Sequence, residues 1–185
     1  MRKDFGCKPW MYPQPVLIVS TYNEDGTPNA MNAAWGGTYD NDQVVLCLSL
    51  EHKTTQNILA RKAFVVSMAD AAHAAPCDYV GIVSGNKVAD KVARAGFHTE
   101  KSKFVDAPVI QELGLAMECE FVKTTEDGQI VGRVVNVSAD ESVLGADGKV
   151  DPEKLNVILY DGIQMTYRAV GPVVAQAFSA GKTLK

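Results

Sequence analysis

Residues 28–37, Pro-Asn-Ala-Met-Asn-Ala-Ala-Trp-Gly-Gly, combine small side chains with amides in a stretch predicted to be a strand. Small side chains leave backbone N–H and C=O groups approachable, and Asn offers both a donor and an acceptor. Such a strand could lie against a flat heteroaromatic ligand whose edge alternates acceptors and donors, as the pyrimidine ring of a flavin does. The alternative is that Ala and Asn merely fit a crowded seam between strands, and composition alone leaves both open.

Two further stretches carry cationic and hydroxyl side chains that suit an anion. In residues 49–58 a strand ends and a helix begins with Lys53-Thr54-Thr55, where free N–H groups and a partial positive charge favour an anion. Ordinary capping by Thr54 or Thr55 explains the same residues without a ligand. In residues 84–91, Lys87 and Lys91 are predicted to share a helical face, where a bound anion would relieve their repulsion. A solvated face is the alternative there.

The motifs of the commoner nucleotide, hydrolytic and metal sites are absent from the sequence. Residues 81–87 lack the spacing of a phosphate loop, and neither G-x-G-x-x-G nor G-x-S-x-G occurs. The four cysteines form no C-x-x-C pair and the three histidines form no H-E-x-x-H motif, so no metal site is predicted. We expect four reduced thiols, mostly buried, and from them a cytoplasmic location.

Length, charge and hydropathy limit the class of protein. A chain of 185 residues is expected to form one domain over 1–185. The formal net charge of -4 and a pI near 5.4 argue against a protein held to nucleic acid by bulk charge. No apolar run reaches the ~18 residues that a membrane helix needs. The charged start, interrupted by Pro9 and Pro13, does not resemble a signal peptide. From the net charge and the short apolar runs together, we expect neither nucleic acid nor a membrane as a partner.

Hairpins dominate the predicted elements. Asp-Gly dipeptides at 25–26, 127–128, 147–148 and 161–162 predict tight turns, since both residues tolerate positive φ. Besides 28–37, strands are predicted over residues 16–22, 44–48, 63–68, 118–122, 130–137, 157–160 and 165–167. Helices are predicted over 54–61 and 88–95, with Gly96 as a stop, while 79–83 fits either helix or strand. This order favours an antiparallel barrel or sandwich with helical insertions over a doubly wound parallel sheet.

From residue 15 to 171, the order and spacing of these segments resemble one known family. The segments are 16–21, 26–29 running into Trp35, His52-Lys53-Thr54-Thr55-Gln56-Asn57-Ile58, 79–85 followed by Lys91, 107–110 and 115–119. The chain is similar to the flavin reductase-like, FMN-binding split-barrel proteins, and within them to the flavoredoxin-like branch. The resemblance implies a six-stranded antiparallel Greek-key split β-barrel with short helical insertions. It also implies a homodimer with FMN, rather than FAD, bound near the interface.

The resemblance also implies positions for the cofactor contacts. It places Asn29, Met31, Asn32, Ala33, Ala34 and Trp35 along the isoalloxazine ring; Lys53, Thr54 and Lys91 at the phosphate, with His52 as a further candidate; and Ser49, Leu50, Ser84 and Gly85 elsewhere in the cofactor site. Many family members have polar or proline residues where this chain has Ala33 and Ala34. Contacts at those two positions would therefore come from the backbone.

Two functions fit this interpretation. The first and favoured one is an NAD(P)H-dependent flavin reductase that binds nicotinamide transiently against the flavin. The second is an electron carrier that holds FMN tightly and exchanges electrons with a redox partner protein. A barrel that binds a ligand and catalyses nothing is a third class. No catalytic acid or base is predicted, because the flavin does the redox chemistry and the protein supplies orientation, electrostatics and access.

Overall fold

The structure, a computed structural model, describes residues 1–184 and is mainly β. Its strands are β1 Gln14–Pro15, β2 Leu17–Tyr22, β3 Pro28–Ala33, β4 Gly36–Asp40, β5 Gln43–Leu46, β6 Ala63–Met68, β7 Thr99–Lys101, β8 Pro108–Ile110, β9 Leu115–Thr124, β10 Ile130–Ala139, β11 Ile158–Asp161 and β12 Thr166–Ala169. Its α-helices are α1 Lys53–Arg61, α2 Ala74–Ile82, α3 Lys91–Arg94 and α4 Pro152–Leu155, with 3₁₀ turns at Glu141–Val143 and Ala180–Leu184. No helix among these residues has the length and apolar character needed to cross a membrane.

The main sheet closes on itself through one bent strand. Its antiparallel order is β3-β2-β6-β9-β10-β5-β4, so β3 and β4 are the two edges of the sheet. Only Ala34 and Trp35 separate these two strands along the chain. Residues 28–40 therefore pair first with β2 and then with β5. Counted as one bent strand, they give the six-stranded barrel that the resemblance implies.

The strand order is a Greek key, as predicted. The strands β2, β3–β4 and β5 are neighbours in sequence and in space, and β6 then returns to lie beside β2. The connection from β5 to β6 contains α1, which packs against β2 and β3. The topology thus brings the start of α1 beside the strand that the sequence singles out.

Both faces of the sheet near β2 and β3 are buried. Inside the barrel, Leu17 and Ala33 pack with Phe64 and other apolar residues. On the outer face, Ile18 and Ala30 pack in a second cluster with residues of α2. Because strand side chains alternate between faces, odd-numbered residues of β3 face the barrel side and even-numbered ones face α2. Helix α2 is therefore fixed against the outer face of β3.

Several predicted elements are confirmed and others need correction. Gly26 and Gly128 have φ of +83° and +82° in the turns of the β2–β3 and β9–β10 hairpins. In the β11–β12 hairpin, Met165 rather than Gly162 has the positive φ, because the loop has four residues instead of two. The helix predicted over 88–95 is only α3, since turns occupy the residues before it, although Gly96 does end it with φ +81°.

Two other sequence predictions are resolved by this structure. Residues 79–83, ambiguous in sequence, belong to α2 as far as Ile82. All four cysteines are free, but only Cys77 and Cys119 are buried, whereas Cys7 and Cys47 are exposed. The expectation that the thiols are mostly buried is therefore wrong for half of them.

Gly36, at the bend of the strand, gives a test of barrel closure. A Cβ there would lie 2.9 Å from both Leu46 Cδ2 and Val45 O of β5 and 3.0 Å from Leu17 Cδ1 of β2. Gly36→Ala should therefore lower the free energy of unfolding by about 1–3 kcal/mol through overpacking. The control is Gly37→Ala, where no atom lies within 4 Å of the new methyl group. Chemical denaturation that gave equal stabilities for the two variants would contradict this account of closure.

Candidate functional site

The barrel has a split along β3. This strand pairs with β2 on one side, and its other edge is an edge of the sheet. In an antiparallel ladder alternate residues direct their N–H and C=O groups away from the partner strand. At the bend, the Cys47 N–H donates to Trp35 O at 2.8 Å, and the chain after β5 then leads into α1. Alternate residues of β3 therefore direct backbone donors and acceptors away from β2, on the edge that no other strand of the sheet pairs within residues 1–184.

A cavity of about 170 Å³ lies in this split. It is lined by Met31 of β3, by His52, Lys53 and Thr54 at the start of α1, by residues 81–85 at the end of α2, and by Lys91. We name it the basic cavity, because its described lining includes two lysines and no carboxylate. The Coulomb interaction with these lysines favours an anionic group in the cavity.

The first turn of α1 presents donors to the basic cavity. His52 is the N-cap residue and, within residues 1–184, its side chain makes no capping hydrogen bond. Thr54 and Thr55 are both buried inside the helix, so capping by either is not the reason for these hydroxyls. Asn29 Nδ2 donates to Thr54 Oγ1 at 2.7 Å. A hydroxyl can accept one hydrogen bond and donate another. Thr54 therefore still has its own proton to donate to a ligand.

Two glycines allow the end of α2 to approach β3 and α1 closely. A Cβ at Gly85 would collide with Asn29 Oδ1 and would lie 3.2 Å from Lys53 Cβ. A Cβ at Gly81 would lie 2.8 Å from Asn32 Cβ. The side chain of Ser84, beside Gly85, is exposed and accepts from the Asn86 N–H at 3.3 Å. Glycine at 81 and 85 therefore sets the width of the split.

Lys91 is a buried cation at the back of the basic cavity. Its relative exposure is 3%, and its Nζ donates to Val80 O at 2.9 Å and to Val83 O at 2.8 Å, at the end of α2. Burial lowers the pKa of Lys91 to about 8. The predicted face shared with Lys87 is wrong, because Lys87 lies in a turn before α3 and is exposed. An ammonium has three donors, so one remains for a ligand in the cavity.

A second cleft, of about 210 Å³, adjoins the basic cavity at Gly81 and Ile82. We name it the aromatic cleft; its lining consists of Asn32, Ala34, Trp35, Asp78, Gly81, Ile82, Tyr160 and Tyr167. The Tyr167 hydroxyl donates to Asp78 Oδ1 at 2.6 Å and accepts from Asn32 Nδ2 at 3.3 Å. Burial, and then the bond to Asp78, raises the pKa of Tyr167, so the phenol stays neutral at physiological pH.

Most residues of the predicted cofactor site lie around these two spaces. Met31, His52, Lys53, Thr54, Ser84, Gly85 and Lys91 line the basic cavity, and Asn32, Ala34 and Trp35 line the aromatic cleft. Asn29 is buried and holds Thr54. Ala33 packs in the barrel core, while Ser49 and Leu50 are exposed in the turn before α1 and belong to neither described lining.

Sequence reasoning did not identify Asp78, Tyr160 and Tyr167. Asp78 and Tyr167 are 89 positions apart, so no local spacing connects them. The hairpin predicted around the fourth Asp-Gly dipeptide was the one available indication that two tyrosines share a face. Within residues 1–184 no group of three His, Cys, Asp or Glu side chains is arranged to hold a metal ion.

Comparison with known proteins connects this geometry to a family. The family model described as flavin reductase like domain matches residues 10–164. The flavoredoxin of Desulfovibrio vulgaris (Miyazaki F) is 35% identical and superposes with a TM-score of 0.94 over 98% of this chain and 100% of that chain. The flavoredoxin from Methanosarcina acetivorans is 26% identical, with a TM-score of 0.89 over 100% of both chains. An uncharacterized protein of Aquifex aeolicus (strain VF5) is 26% identical over 79% of each chain. The chain therefore belongs to the flavin reductase-like domain family.

Proposed function

We propose that the chain is a redox flavoprotein that binds FMN in the split of the barrel. The observation that carries this proposal is the basic cavity, with Lys53, Thr54 and Lys91, beside the free backbone edge of β3. A terminal phosphate suits the two lysines and the Thr54 hydroxyl. The pyrimidine edge of an isoalloxazine ring suits alternating backbone donors and acceptors. The residues present therefore fit a ligand that carries both groups, and the family and the two flavoredoxins agree with it.

The residues of the chain would bind and orient the cofactor. A bound flavin would supply the electron-transfer chemistry. Thr54 would donate its hydroxyl proton to the phosphate, and the Lys91 ammonium would add a charge-assisted hydrogen bond. The β3 backbone would orient the ring. Trp35, 57% exposed, and Ile82 stand at the mouth of the split, where a second molecule can approach.

The more specific proposal is an NAD(P)H-dependent flavin reductase. It is supported by the open mouth of the split and by the aromatic cleft beside it. The test is anaerobic mixing of the FMN-loaded protein with NADH or NADPH while the visible absorbance of the flavin is followed. We expect a rapid loss of absorbance, at a rate that saturates as the nicotinamide concentration rises.

The second candidate function is an electron carrier. The likeness to the flavoredoxin of Desulfovibrio vulgaris, 35% identical over 98% of this chain, favours it. A carrier would hold FMN through purification and would exchange electrons with a low-potential protein or dye. It would remain oxidised for minutes with either nicotinamide, and that result would contradict the reductase.

Thr54 gives a direct test of the phosphate position. A hydrogen bond to a charged group is worth about 1.5–3 kcal/mol, so Thr54→Val should weaken FMN binding by about ten- to a hundredfold. Riboflavin, which lacks the phosphate, should lose little. The control is Thr55→Val in the same turn, because Thr55 Oγ1 is buried with no hydrogen-bond partner within residues 1–184 and does not line the cavity. Equal losses for FMN and riboflavin, measured by calorimetry, would contradict the assignment.

Lys91 predicts a pH dependence of FMN binding. The phosphate needs the protonated ammonium, and in the free protein burial places the pKa of Lys91 at about 8. The affinity for FMN, relative to riboflavin, should therefore be highest near neutral pH and fall by about tenfold between pH 7 and pH 9, as the free lysine loses its proton. Lys91→Met should bind FMN more weakly at neutral pH and lack this fall. The control is Lys87→Met, a change of an exposed lysine, which should retain the wild-type dependence of FMN affinity on pH. A wild-type affinity that did not change with pH would refute the role of Lys91.

We also propose a homodimer with the cofactor site at or beside the interface. Some of the large exposed apolar side chains lie at the termini and at the split, namely Trp10, Met11, Tyr12, Trp35, Val173, Val174 and Phe178. Such surfaces usually mark interfaces, and a two-fold dimer covers the same patch twice. The free thiols agree with a cytoplasmic location, and we propose this location together with the homodimer.

Light scattering tests the dimer. The expected mass is about twice the chain mass of 19.9 kDa. FMN that binds only the native dimer should also raise its thermal midpoint by mass action. A monomer at high concentration with full FMN occupancy would show that the interface takes no part in the site.

A further inference from the structure

The apolar core of the barrel ends in a layer of buried polar side chains. Leu17 and Val19 of β2 pack in that core, and Thr21 continues the same face of the strand, since strand side chains alternate. Thr21 is fully buried, and so is its cross-strand partner in β3, Asn29. Valine or leucine at these two positions would extend the core without the cost of burying polar groups. The polar pair therefore points to a role other than packing.

Helix α1 adds a second polar pair to this layer. Thr54 and Asn57 are three residues apart, so they share one face of the helix, and both are buried. Asn57 Nδ2 donates to Thr21 Oγ1 at 3.0 Å. Asn29 Nδ2 donates one proton to Thr54 Oγ1 at 2.7 Å and the other, over a longer 3.4 Å, to Thr21 Oγ1. A continuous chain of side-chain hydrogen bonds therefore connects Asn57, through the strand pair, to Thr54.

The far end of this chain is anchored in the turn between β2 and β3. Asn57 Nδ2 also donates to Asn23 Oδ1 at 2.9 Å, and Asn23 Nδ2 donates to Thr27 Oγ1 at 3.0 Å. Arg61, also on α1, donates from Nη2 to Asn23 O at 2.5 Å. A connected buried network of this kind holds its side chains in one arrangement. The hydroxyl of Thr21 is therefore fixed from both the helix and the turn.

The orientation of the Asn29 amide decides how Thr54 uses its proton. With Nδ2 toward Thr54, the Thr54 hydroxyl accepts and its own proton stays available to a ligand. In the opposite orientation, Asn29 Oδ1 would accept that proton instead. Without the Thr21 hydroxyl, Nδ2 would keep one buried proton unpaired, and an unpaired buried donor is costly. An amide oxygen that accepts once is already satisfied, so the loss of Thr21 Oγ1 favours the opposite orientation.

We propose that Thr21 is a positioning residue for the cofactor phosphate: through the Asn29 amide, it keeps the Thr54 hydroxyl free to donate to the phosphate. This inference rests on the proposed function and adds a residue that belongs to neither described lining, of the basic cavity or of the aromatic cleft. It also explains why a polar pair takes the last core positions of β2 and β3. One buried hydroxyl thus connects the barrel core with the phosphate site.

Replacements of Thr21 test this role through the ratio of the affinities for FMN and riboflavin, measured by calorimetry on the apoprotein. Thr21→Val keeps the shape of the side chain and removes the hydroxyl. It should lower the ratio by about three- to tenfold, a part of the loss expected when the bond from Thr54 is removed altogether. Thr21→Ala, a smaller side chain without a hydroxyl, should lower it as well. Thr21→Ser retains the hydroxyl and should restore the wild-type ratio.

Ser20→Ala is the matched control on the same strand. Ser20 is buried like Thr21, but its Oγ donates to Pro108 O at 2.6 Å, on the opposite face of β2. Its loss should lower the thermal midpoint and leave the ratio of FMN to riboflavin affinity unchanged. A lowered ratio in Ser20→Ala would show that any damage to β2 weakens phosphate binding, and would overturn the role of Thr21. An unchanged ratio in Thr21→Val, or a ratio in Thr21→Ser as low as in Thr21→Val, would overturn it too.

A double-mutant cycle tests whether Thr21 acts through Thr54. In a Thr54→Val background, Thr21→Val should not lower the ratio further, because the donated proton is already absent. A second loss of the same size would contradict the proposed route. A wild-type protein that binds FMN and riboflavin equally well would instead refute the phosphate position in the proposed function. Wild type that binds neither flavin would refute the proposed function as a whole.

Discussion

The free edge of β3 is the constraint on which the site depends. The strand over residues 28–40 changes partner at Ala34 and Trp35, from β2 to β5, and its first half lies at an edge of the sheet, paired with β2 alone. An unpaired strand edge carries backbone donors and acceptors that need partners. Small side chains and the glycines at 81 and 85 keep α1 and α2 close to this edge without covering it. The change of partner at Ala34 and Trp35 therefore both closes the barrel and leaves an opening of ligand size.

Burial of Lys91 connects the cost of folding with ligand recognition. Removing an ammonium from water is unfavourable unless it is paired, and the lowered pKa of Lys91 records that cost. Two carbonyl groups at the end of α2 compensate it in part, since they accept from Nζ. An anion in the basic cavity would supply the missing counter-charge. The same lysine that holds the end of α2 in place would therefore favour the phosphate of the cofactor.

The sequence predicted the elements better than it predicted the tertiary contacts. Hairpins with Gly26 and Gly128 follow from local φ preferences, and Thr54 and Lys53 follow from their position at a helix start. The sequence placed Lys91 on a helical face shared with Lys87, since helical periodicity cannot reveal that the residues before Lys91 form turns. Asp78 and Tyr167 meet because the β11–β12 hairpin returns to α2. Such a contact depends on the topology of the whole chain and has no local sequence pattern.

A crystal structure of the protein grown with FMN would test the central claim most directly. The account predicts the phosphate within hydrogen-bond distance of Thr54 Oγ1 and Lys91 Nζ, with the pyrimidine edge of the ring along the free backbone edge of β3. Residues 81–85 should change little, because Gly81 and Gly85 already set the width of the split. An FMN molecule whose phosphate lay outside the basic cavity, or whose ring made no contact with β3, would contradict the account.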